Sequence, residues 1–244
     1  MPDRRARKRD RRRDALLDLA ADLVEGRGVD GLTMAALAEV SDYATASLYT
    51  YFPSRGALVS ALQERALGVL AEVGESSLAA WDESLGASKG SRAGKVGAIA
   101  RVWGFADLFL TAPEHHPREF HLQQELLVSP QSDDAPGAPL LAAAMAVLDL
   151  PRRLLASAVQ VGALDAPKPV VHAAGEPVEA EMVRTLAWIS AMNGALLLDR
   201  LGTGAAITGF ALGVEITGSL LRGWGADVGV LVEARATATG WRPR

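Results

Sequence analysis

Two short apolar patterns, separated by a single turn, restrict what residues 31–62 can fold into. The first is "MAALAEV" (34–40) and the second is "TASLYTYF" (45–52), and Ser41 and Asp42 of "SDYAT" break the helical pattern between them. Before them, "RRDALLDLAADLVEGRG" (12–28) carries an apolar stripe at helical spacing that ends at glycines. Two short helices joined by a tight turn, after a supporting helix, predict a helix-turn-helix.

The ends of these predicted helices have their own signals. Thr33 is an N-cap for the second helix, Pro53 closes the third, and Ser54 caps a long fourth helix that runs to about residue 80. A Gly/Ser-rich linker is predicted over 84–95.

The rest of the chain also has helical periodicity, and no alternating Val/Ile/Thr stretch is long enough to indicate a sheet. Prolines such as Pro113 separate the segments, while Pro151 lies inside one and predicts a kink or break there. The prediction is an all-α chain whose N-terminal helix-turn-helix unit is joined to a larger helical bundle. The bundle helices are expected at roughly 95–111, 115–129, 138–164, 176–202 and 205–222, with a shorter one to about 238.

The third predicted helix has an inner and an outer face. Leu48 and Phe52 are four residues apart and point inward, which leaves small and hydroxyl-bearing residues to approach DNA bases and phosphates. Arg55, at the start of the fourth helix, is expected to contact a phosphate. With Thr33 at the cap, the predicted DNA-binding residues of this region are Thr33, Thr45, Ala46, Ser47, Tyr49, Thr50, Tyr51 and Arg55.

The charge of the chain is distributed unevenly. Residues 1–13 hold seven Arg and one Lys against two Asp, a net charge of +6, whereas the whole chain has −4 and the remainder therefore −10. A basic arm on an acidic body indicates a polyanionic partner for the arm alone. The alternative is a merely solubilising tail.

The segment "GLTMAALAEVSDYATASLYTYFPSRGALVSAL" (31–62) resembles the DNA-binding segment of the TetR family of transcriptional regulators. The matching positions are Leu32-Thr33, Leu37-Ala38, Leu48-Tyr49, Tyr51-Phe52, Ser54, Arg55 and Leu58. The turn departs from the family's Ala-Gly-Val-Ser. Here Asp42 takes the place of the glycine at a positive-φ position, and Ala44 lacks a capping oxygen, for which Thr45 is the expected substitute.

The resemblance implies a regulator, most often a repressor, that binds a palindromic or near-palindromic DNA operator as a homodimer and is released by a small-molecule effector. It implies that Arg11, Arg12 and Arg13 lie along or in the minor groove. It divides the chain into a basic arm (1–10), a DNA-binding domain (11–57) and an effector-binding and dimerisation domain (58–244).

The dimer is expected to form through the helices "TLAWISAMNGALLLDRLG" and "GAAITGFALGVEITGSLLRGWG", although burial within one subunit is the alternative. The residues expected to enclose the effector combine apolar walls with a few polar groups, and simple core packing is the alternative for each. They are Trp103, Phe105, Phe109, His116, Phe120, His121, Gln124, Leu127, Trp188 and Met192.

Other classes of function find less support in the sequence. The chain shows no nucleophile–base set or phosphate-binding glycine loop, and its histidines lack metal spacing, so no catalysis, cofactor or metal is expected. An all-α enzyme and a non-specific nucleic-acid-binding protein using the arm are the alternatives. The longest uncharged run, 201–214, is too short to cross a membrane and is expected to be a buried helix. The lack of cysteine and of a secretory signal favours the cytoplasm, and the Ala/Gly/Arg-rich composition favours a bacterial source.

Overall fold

The computed structural model describes residues 4–86, 91–128, 138–171, 177–200 and 207–241. These residues are mainly helical, which confirms the all-α prediction, and they include one pair of antiparallel two-residue strands, β1 (Val170–Val171) and β2 (Pro177–Val178). The helices in this part of the chain are α1 (Arg4–Arg27), α2 (Met34–Ser41), α3 (Thr45–Leu48), α4 (Arg55–Leu85), α5 (Ser91–His115), α6 (Pro117–Val128), α7 (Ala138–Gln160), α8 (Ala180–Arg200), α9 (Gly209–Gly223) and α10 (Val228–Thr239).

Several helix boundaries differ from the predicted ones. Helix α1 begins at Arg4, so the described part of the predicted arm is helical, as suits a run of arginines, which are good helix formers. The predicted linker is short, because α4 continues to Leu85 and α5 begins at Ser91. Of the uncharged run 201–214, residues 201–206 lie outside the described residues, and α9 begins at Gly209.

Two prolines that were expected to interrupt or separate helices lie inside them. Helix α5 includes Pro113, and α7 runs through Pro151 without a break. Pro151 is buried, and Leu150, Leu154 and Leu155 beside it are buried too. The burial of this apolar face offsets the backbone hydrogen bond that the proline removes.

The chain divides into two compact units, and of the three boundaries between them two fall inside helices α4 and α7 and the third lies between α5 and α6. Unit 1 comprises Met1–Leu70 and His116–Ala146. Its core joins α1, α2, α3 and the first part of α4 with one side chain of α6, Leu122. On the surface of this unit, Arg118 of α6 donates hydrogen bonds to Asp22 at 2.8 Å and to Glu25 at 2.5 Å, both on α1.

Unit 2 comprises Ala71–His115 and Val147–Arg244, and α5 packs against α8, α9 and α10 within it. Most of α5 is buried, including the carboxylate of Asp107, which accepts two hydrogen bonds from Arg235 of α10 at 2.8 and 2.9 Å. A buried hydrogen bond from the indole of Trp188 to the hydroxyl of Thr217, at 3.0 Å, connects α8 to α9.

Candidate nucleic-acid interface

The helix-turn-helix is built around two buried side chains of residues 45–52, called here the α3 segment. Leu48 and Phe52 are almost fully buried in the core of unit 1, as their four-residue spacing predicts. Regular helix covers only Thr45–Leu48, and the chain then continues as a tight turn in which the amides of Tyr51 and Phe52 both donate to the carbonyl of Leu48 at 2.9 Å. The predicted third helix is therefore shorter than 45–52, although its last residues still coil over the same core.

The capping residues lie where the sequence indicates. The hydroxyl of Thr33 accepts from the amide of Ala36 at 3.0 Å, and the hydroxyl of Ser54 accepts from the amide of Ala57 at 3.0 Å. Asp42 has a φ of 55° and ends α2 in the left-handed region, in the place where the family pattern has glycine.

Helix α3 begins without a side-chain cap. Its N-cap residue is Ala44, whose methyl group can accept no hydrogen bond, and Thr45 is the first residue of the helix rather than its cap. The expected shift of the capping role to Thr45 is therefore wrong. Nearby, Tyr43 lies half-buried with its ring 6.3 Å from that of Tyr51, edge to face, and this contact supports the turn after α3.

The predicted DNA-contacting residues form an exposed surface beside these anchors. Tyr49 has 49% of its surface exposed, and Tyr51 is half-buried. The hydroxyl of Thr50 already donates to the carbonyl of Ser47 at 2.7 Å but keeps its lone pairs for a further donor. The exposed members of the predicted set in this region are Thr33, Thr45, Ala46, Ser47, Tyr49, Thr50 and Arg55.

Arg55 has a second role that the sequence does not indicate. Its guanidinium donates from Nε to the carbonyl of Leu32 and from Nη2 to the carbonyl of Val29, both at 2.6 Å. These bonds attach the start of α4 to the turn between α1 and α2. Of the five guanidinium N–H groups, those on Nη1 and one on Nη2 stay available to an anion.

The arginines of α1 divide between two faces of the helix. Arg9 donates to the carbonyl of Thr50 at 2.9 Å, and Arg13 places its guanidinium carbon 5.4 Å from the centre of the Phe52 ring. These two residues are four apart and share the face that meets the α3 segment. Arg11 and Arg12 are exposed, and the helical rotation of 100° per residue turns Arg11 away from that face.

The same region matches a known family of regulators. Residues 16–62 match the family model described as "Bacterial regulatory proteins, tetR family". This segment of the chain is similar to the DNA-binding segment of the TetR family. The resemblance of residues 31–62 is thereby confirmed, and the match also includes the second half of α1.

Solved structures show the same fold over most of the chain. A protein of unknown function from Rhodococcus sp. RHA1 has 20% identity and a TM-score of 0.63, with 87% of this chain and 94% of that one covered. RolR, crystallised with resorcinol, has 19% identity and a TM-score of 0.59, with 98% and 97% covered. SmeT, described as the repressor of the Stenotrophomonas maltophilia multidrug efflux pump SmeDEF, has 14% identity and a TM-score of 0.59, with 89% and 92% covered. No curated protein sequence matches the chain.

These likenesses confirm the predicted TetR-like fold, an N-terminal helix-turn-helix followed by a larger helical domain. Within the helix-turn-helix, the sequence-based prediction missed Arg9 and Tyr43. Arg9 could have been found by extending the helical stripe of α1 backwards from Leu16 and Leu17 through Arg13. Tyr43 carries no comparable signal, because its contact with Tyr51 depends on the conformation of the turn.

The predicted effector residues of this TetR-like chain fall into both units. Those in unit 2 pack closely. The ring centre of Phe105 lies 5.4 Å from that of Trp188 and 6.3 Å from that of Phe109. Met192, four residues after Trp188 on α8, is fully buried. Trp103 lies under the guanidinium of Arg235 at 4.7 Å, and in the described residues no acceptor reaches its buried indole N–H. The members in unit 1 are His116, Phe120, His121, Gln124 and Leu127, of which Phe120 and Gln124 are buried, the histidines are half-buried, and the side chain of Leu127 lies outside the described residues.

Two other kinds of site are absent from the described part of the chain. No group of three or more His, Asp or Glu side chains there could hold a metal ion. Among the helices there, none is long and apolar enough to cross a membrane.

Proposed function

We propose that this protein is a sequence-specific DNA-binding transcriptional regulator that reads its operator with the α3 segment. The observation that carries the proposal is the division of that segment, with Leu48 and Phe52 buried while Thr45, Ser47 and Tyr49 stay exposed. A reading helix needs such an arrangement, because its base-contacting residues must be held rigidly from behind. Small and hydroxyl-bearing side chains suit close approach to base edges and phosphates.

We propose that the regulator acts as a homodimer on a palindromic or near-palindromic operator. One short α3 segment contacts only a few base pairs, and two-fold symmetry doubles the sequence that is read. On α8, Leu186 and Leu197 each have 43% of their surface exposed, and their spacing of eleven residues places them on the same face of the helix. An exposed apolar face on α8 supports the dimer through α8 and α9.

We further propose repression that a small-molecule effector relieves. The structural relatives support this: RolR was crystallised with resorcinol, and SmeT is described as a repressor. In this chain, the aromatic cluster of Phe105, Phe109 and Trp188 in unit 2 is the proposed place for an apolar or aromatic effector. Helix α4 carries residues of both units and is the proposed route from effector to DNA.

In this proposal each predicted domain has its own role. The helix-turn-helix, up to residue 57, binds DNA, and residues 58–244 bind the effector and the second subunit.

Non-specific DNA binding through the basic end of α1 is the second candidate function. Eight basic residues lie within the first ten positions of α1, and they can bind DNA phosphates of any sequence. The specificity ratio between selected and random duplexes separates the two.

The test selects duplex DNA from a random library with the full-length protein and measures its affinity by mobility shift with excess random competitor. Tyr49→Ala removes an exposed ring from the α3 segment. The matched control Val232→Ala removes a side chain with 66% exposure from α10 of unit 2. We expect a selected sequence with two-fold symmetry, bound at least 1,000-fold more tightly than random DNA by the wild type and the control.

Two outcomes would contradict the proposal. A specificity ratio near one would favour non-specific binding by the basic helix. If the specificity ratio stayed as high in Tyr49→Ala as in the control, another surface of the protein would be the one that reads the DNA.

A further inference from the structure

We propose that a backbone phosphate of the bound duplex occupies a cleft between Tyr51 and residues 4–13, which form the basic half of α1. In this arrangement the basic half of α1 binds DNA as a helix that lies on the phosphate backbone, and not as an arm in the minor groove. The proposal rests on the DNA binding proposed above and assigns a contact to Arg5 and Arg9, which the family-derived prediction of Arg11 to Arg13 leaves out.

The cleft is formed by one face of α1 and the turn after α3. Its volume is about 530 Å³, many times the roughly 30 Å³ share of one water molecule. Arg5, Arg9 and Arg13 recur every four residues along this face, so their Cα atoms follow one another at about 6 Å along the helix axis. The lining residues are Arg5, Ala6, Arg9, Asp10, Arg13 and Tyr51.

Two of the three arginines fix the cleft to the reading segment. Arg9 donates to the carbonyl of Thr50, and Arg13 covers the ring of Phe52, so the basic face of α1 and the α3 segment belong to one packed body. Any polyanion in the cleft therefore lies directly beside the residues that read DNA. This position favours duplex DNA over a free anion.

The chemistry of the lining fits a phosphate diester. Arginine presents a planar fork of N–H donors that matches two phosphate oxygens, and the tyrosine hydroxyl is a further donor. Asp10 is the one carboxylate of the lining and weakens anion binding there. Three guanidinium groups against one carboxylate still leave the cleft positive.

The helical state of residues 4–13 does not fit insertion of this segment into the minor groove, which is one of the two arrangements that the family resemblance implies. An α-helix with its side chains is about 10–12 Å across, whereas the minor groove of B-DNA is about 6 Å wide. Such a helix can lie along the sugar-phosphate backbone but cannot enter the minor groove. The same helix places Arg11 about 160° around the axis from Arg13, so the two cannot face one phosphate together.

The experiment compares Arg5→Ala with Arg7→Ala in the full-length protein, on the duplex selected with the wild type. Both variants remove one positive charge from the same exposed helix, but only Arg5 lines the cleft. We expect Arg5→Ala to lower the slope of log K against log salt by about 0.9 per subunit, hence by about 2 for a dimer, and Arg7→Ala to leave it within error. Circular dichroism of both variants checks that the helix content is unchanged.

A second measurement locates the phosphate. Uncharged methylphosphonates replace one phosphate at a time in the selected duplex. At one position in each half-site, the replacement is expected to weaken the wild type and Arg7→Ala at least five-fold and to weaken Arg5→Ala less, because Arg5→Ala has already lost one of the groups that bind this phosphate. Tyr51→Phe is expected to lose part of its effect when combined with Arg5→Ala, because both side chains contact the same group.

Equal salt slopes for Arg5→Ala and Arg7→Ala, or equal methylphosphonate profiles, would overturn the inference while leaving the proposed function intact. Failure to select any duplex would instead overturn the proposed function and the inference with it. Intrusion of α1 into the minor groove would show as loss of binding when bulky groups are placed on the floor of that groove, and this result would also contradict the inference.

Discussion

The guanidinium of Arg55 donates from Nε to the carbonyl of Leu32 at 2.6 Å, across 23 residues of chain. A second donation, to Val29, is equally short. The start of α4 is thereby fixed to the turn between α1 and α2, and Ser54 caps α4 at the same place. The residue expected to contact a phosphate thus also holds the helix-turn-helix together.

Arg55→Lys separates these two roles. Lysine keeps the positive charge but cannot donate to two carbonyls in the geometry of the guanidinium fork. We expect the free energy of unfolding to fall by about 1 kcal/mol, the scale of a hydrogen bond at a solvent-exposed site, and DNA affinity at low salt to fall less than three-fold. Urea unfolding and mobility shift measure the two quantities. A variant of unchanged stability that loses DNA binding would show that Arg55 acts on DNA through its fork alone.

The sequence predicted local features of the site well and its side-chain contacts poorly. The caps at Thr33 and Ser54 follow from residue type and position, because a cap is a local requirement, and the positive φ of Asp42 follows from the family resemblance, whose pattern has glycine there. The helical stripe of α1 indicates which face Arg9 lies on, but its contact with Thr50 depends on how α1 packs against the α3 segment, which no local pattern contains.

In the larger domain, too, local features were predicted better than contacts between distant side chains. Helical periodicity located α5, α8 and α9 to within a few residues, but the expected break at Pro151 did not occur, since burial of neighbouring leucines outweighed the local cost of proline. The contact of Asp107 with Arg235 spans 128 residues and could not be inferred from either residue alone.

Loss of the Asp107 carboxylate should destabilise unit 2. Asp107 is only 5% exposed and accepts two hydrogen bonds from Arg235, whose guanidinium also lies over Trp103. Asp107→Asn leaves that guanidinium without its counter-charge, and we expect the free energy of unfolding to fall by about 3 kcal/mol. Chemical unfolding followed by tryptophan fluorescence measures it.

The double variant Asp107→Leu/Arg235→Met is the control for this prediction. It removes both charges, so it should cost less than Asp107→Asn alone. A double variant that is less stable than Asp107→Asn would show that the pair itself, rather than the desolvated charge, is what matters.

Asp149 should give the protein an acid-sensitive contribution to stability. Hydrogen bonds from Arg152, at 2.6 Å, and from Arg153, at 2.8 Å, stabilise its carboxylate, so its pKa lies below the ordinary value of 3.8. Because the pKa is lower in the folded protein, the contribution is complete above pH 3.8 and is lost as the pH falls through the folded pKa. The site is largely exposed, so we expect less than about 1 kcal/mol.

The measurement compares the free energy of unfolding of the wild type and Asp149→Asn from pH 7 to pH 2.5. The difference should be constant above about pH 5 and become smaller as the pH falls below the ordinary pKa of 3.8. A difference that persists unchanged at pH 2.5 would mean that the substitution acts through packing rather than through the charge.

Close approach of α9 to α5 should make Gly213 intolerant of a side chain. A Cβ atom at Gly213 would overlap both methyl groups of Leu110 in unit 2 and would lie 3.2 Å from its Cγ. Alanine normally stabilises a helix relative to glycine by about 1 kcal/mol, but here the overlap should dominate. We expect Gly213→Ala to lower the free energy of unfolding by about 1–2 kcal/mol.

Gly223 is the control for this prediction, because it has open space around its α-carbon in the same helix. Alanine at Gly223 should be neutral or stabilising. The double variant Gly213→Ala/Leu110→Val should cost less than the sum of its single changes, since the smaller side chain relieves the overlap. Thermal and urea unfolding of the four variants measure these differences, and strict additivity would show that the two helices adjust their separation instead.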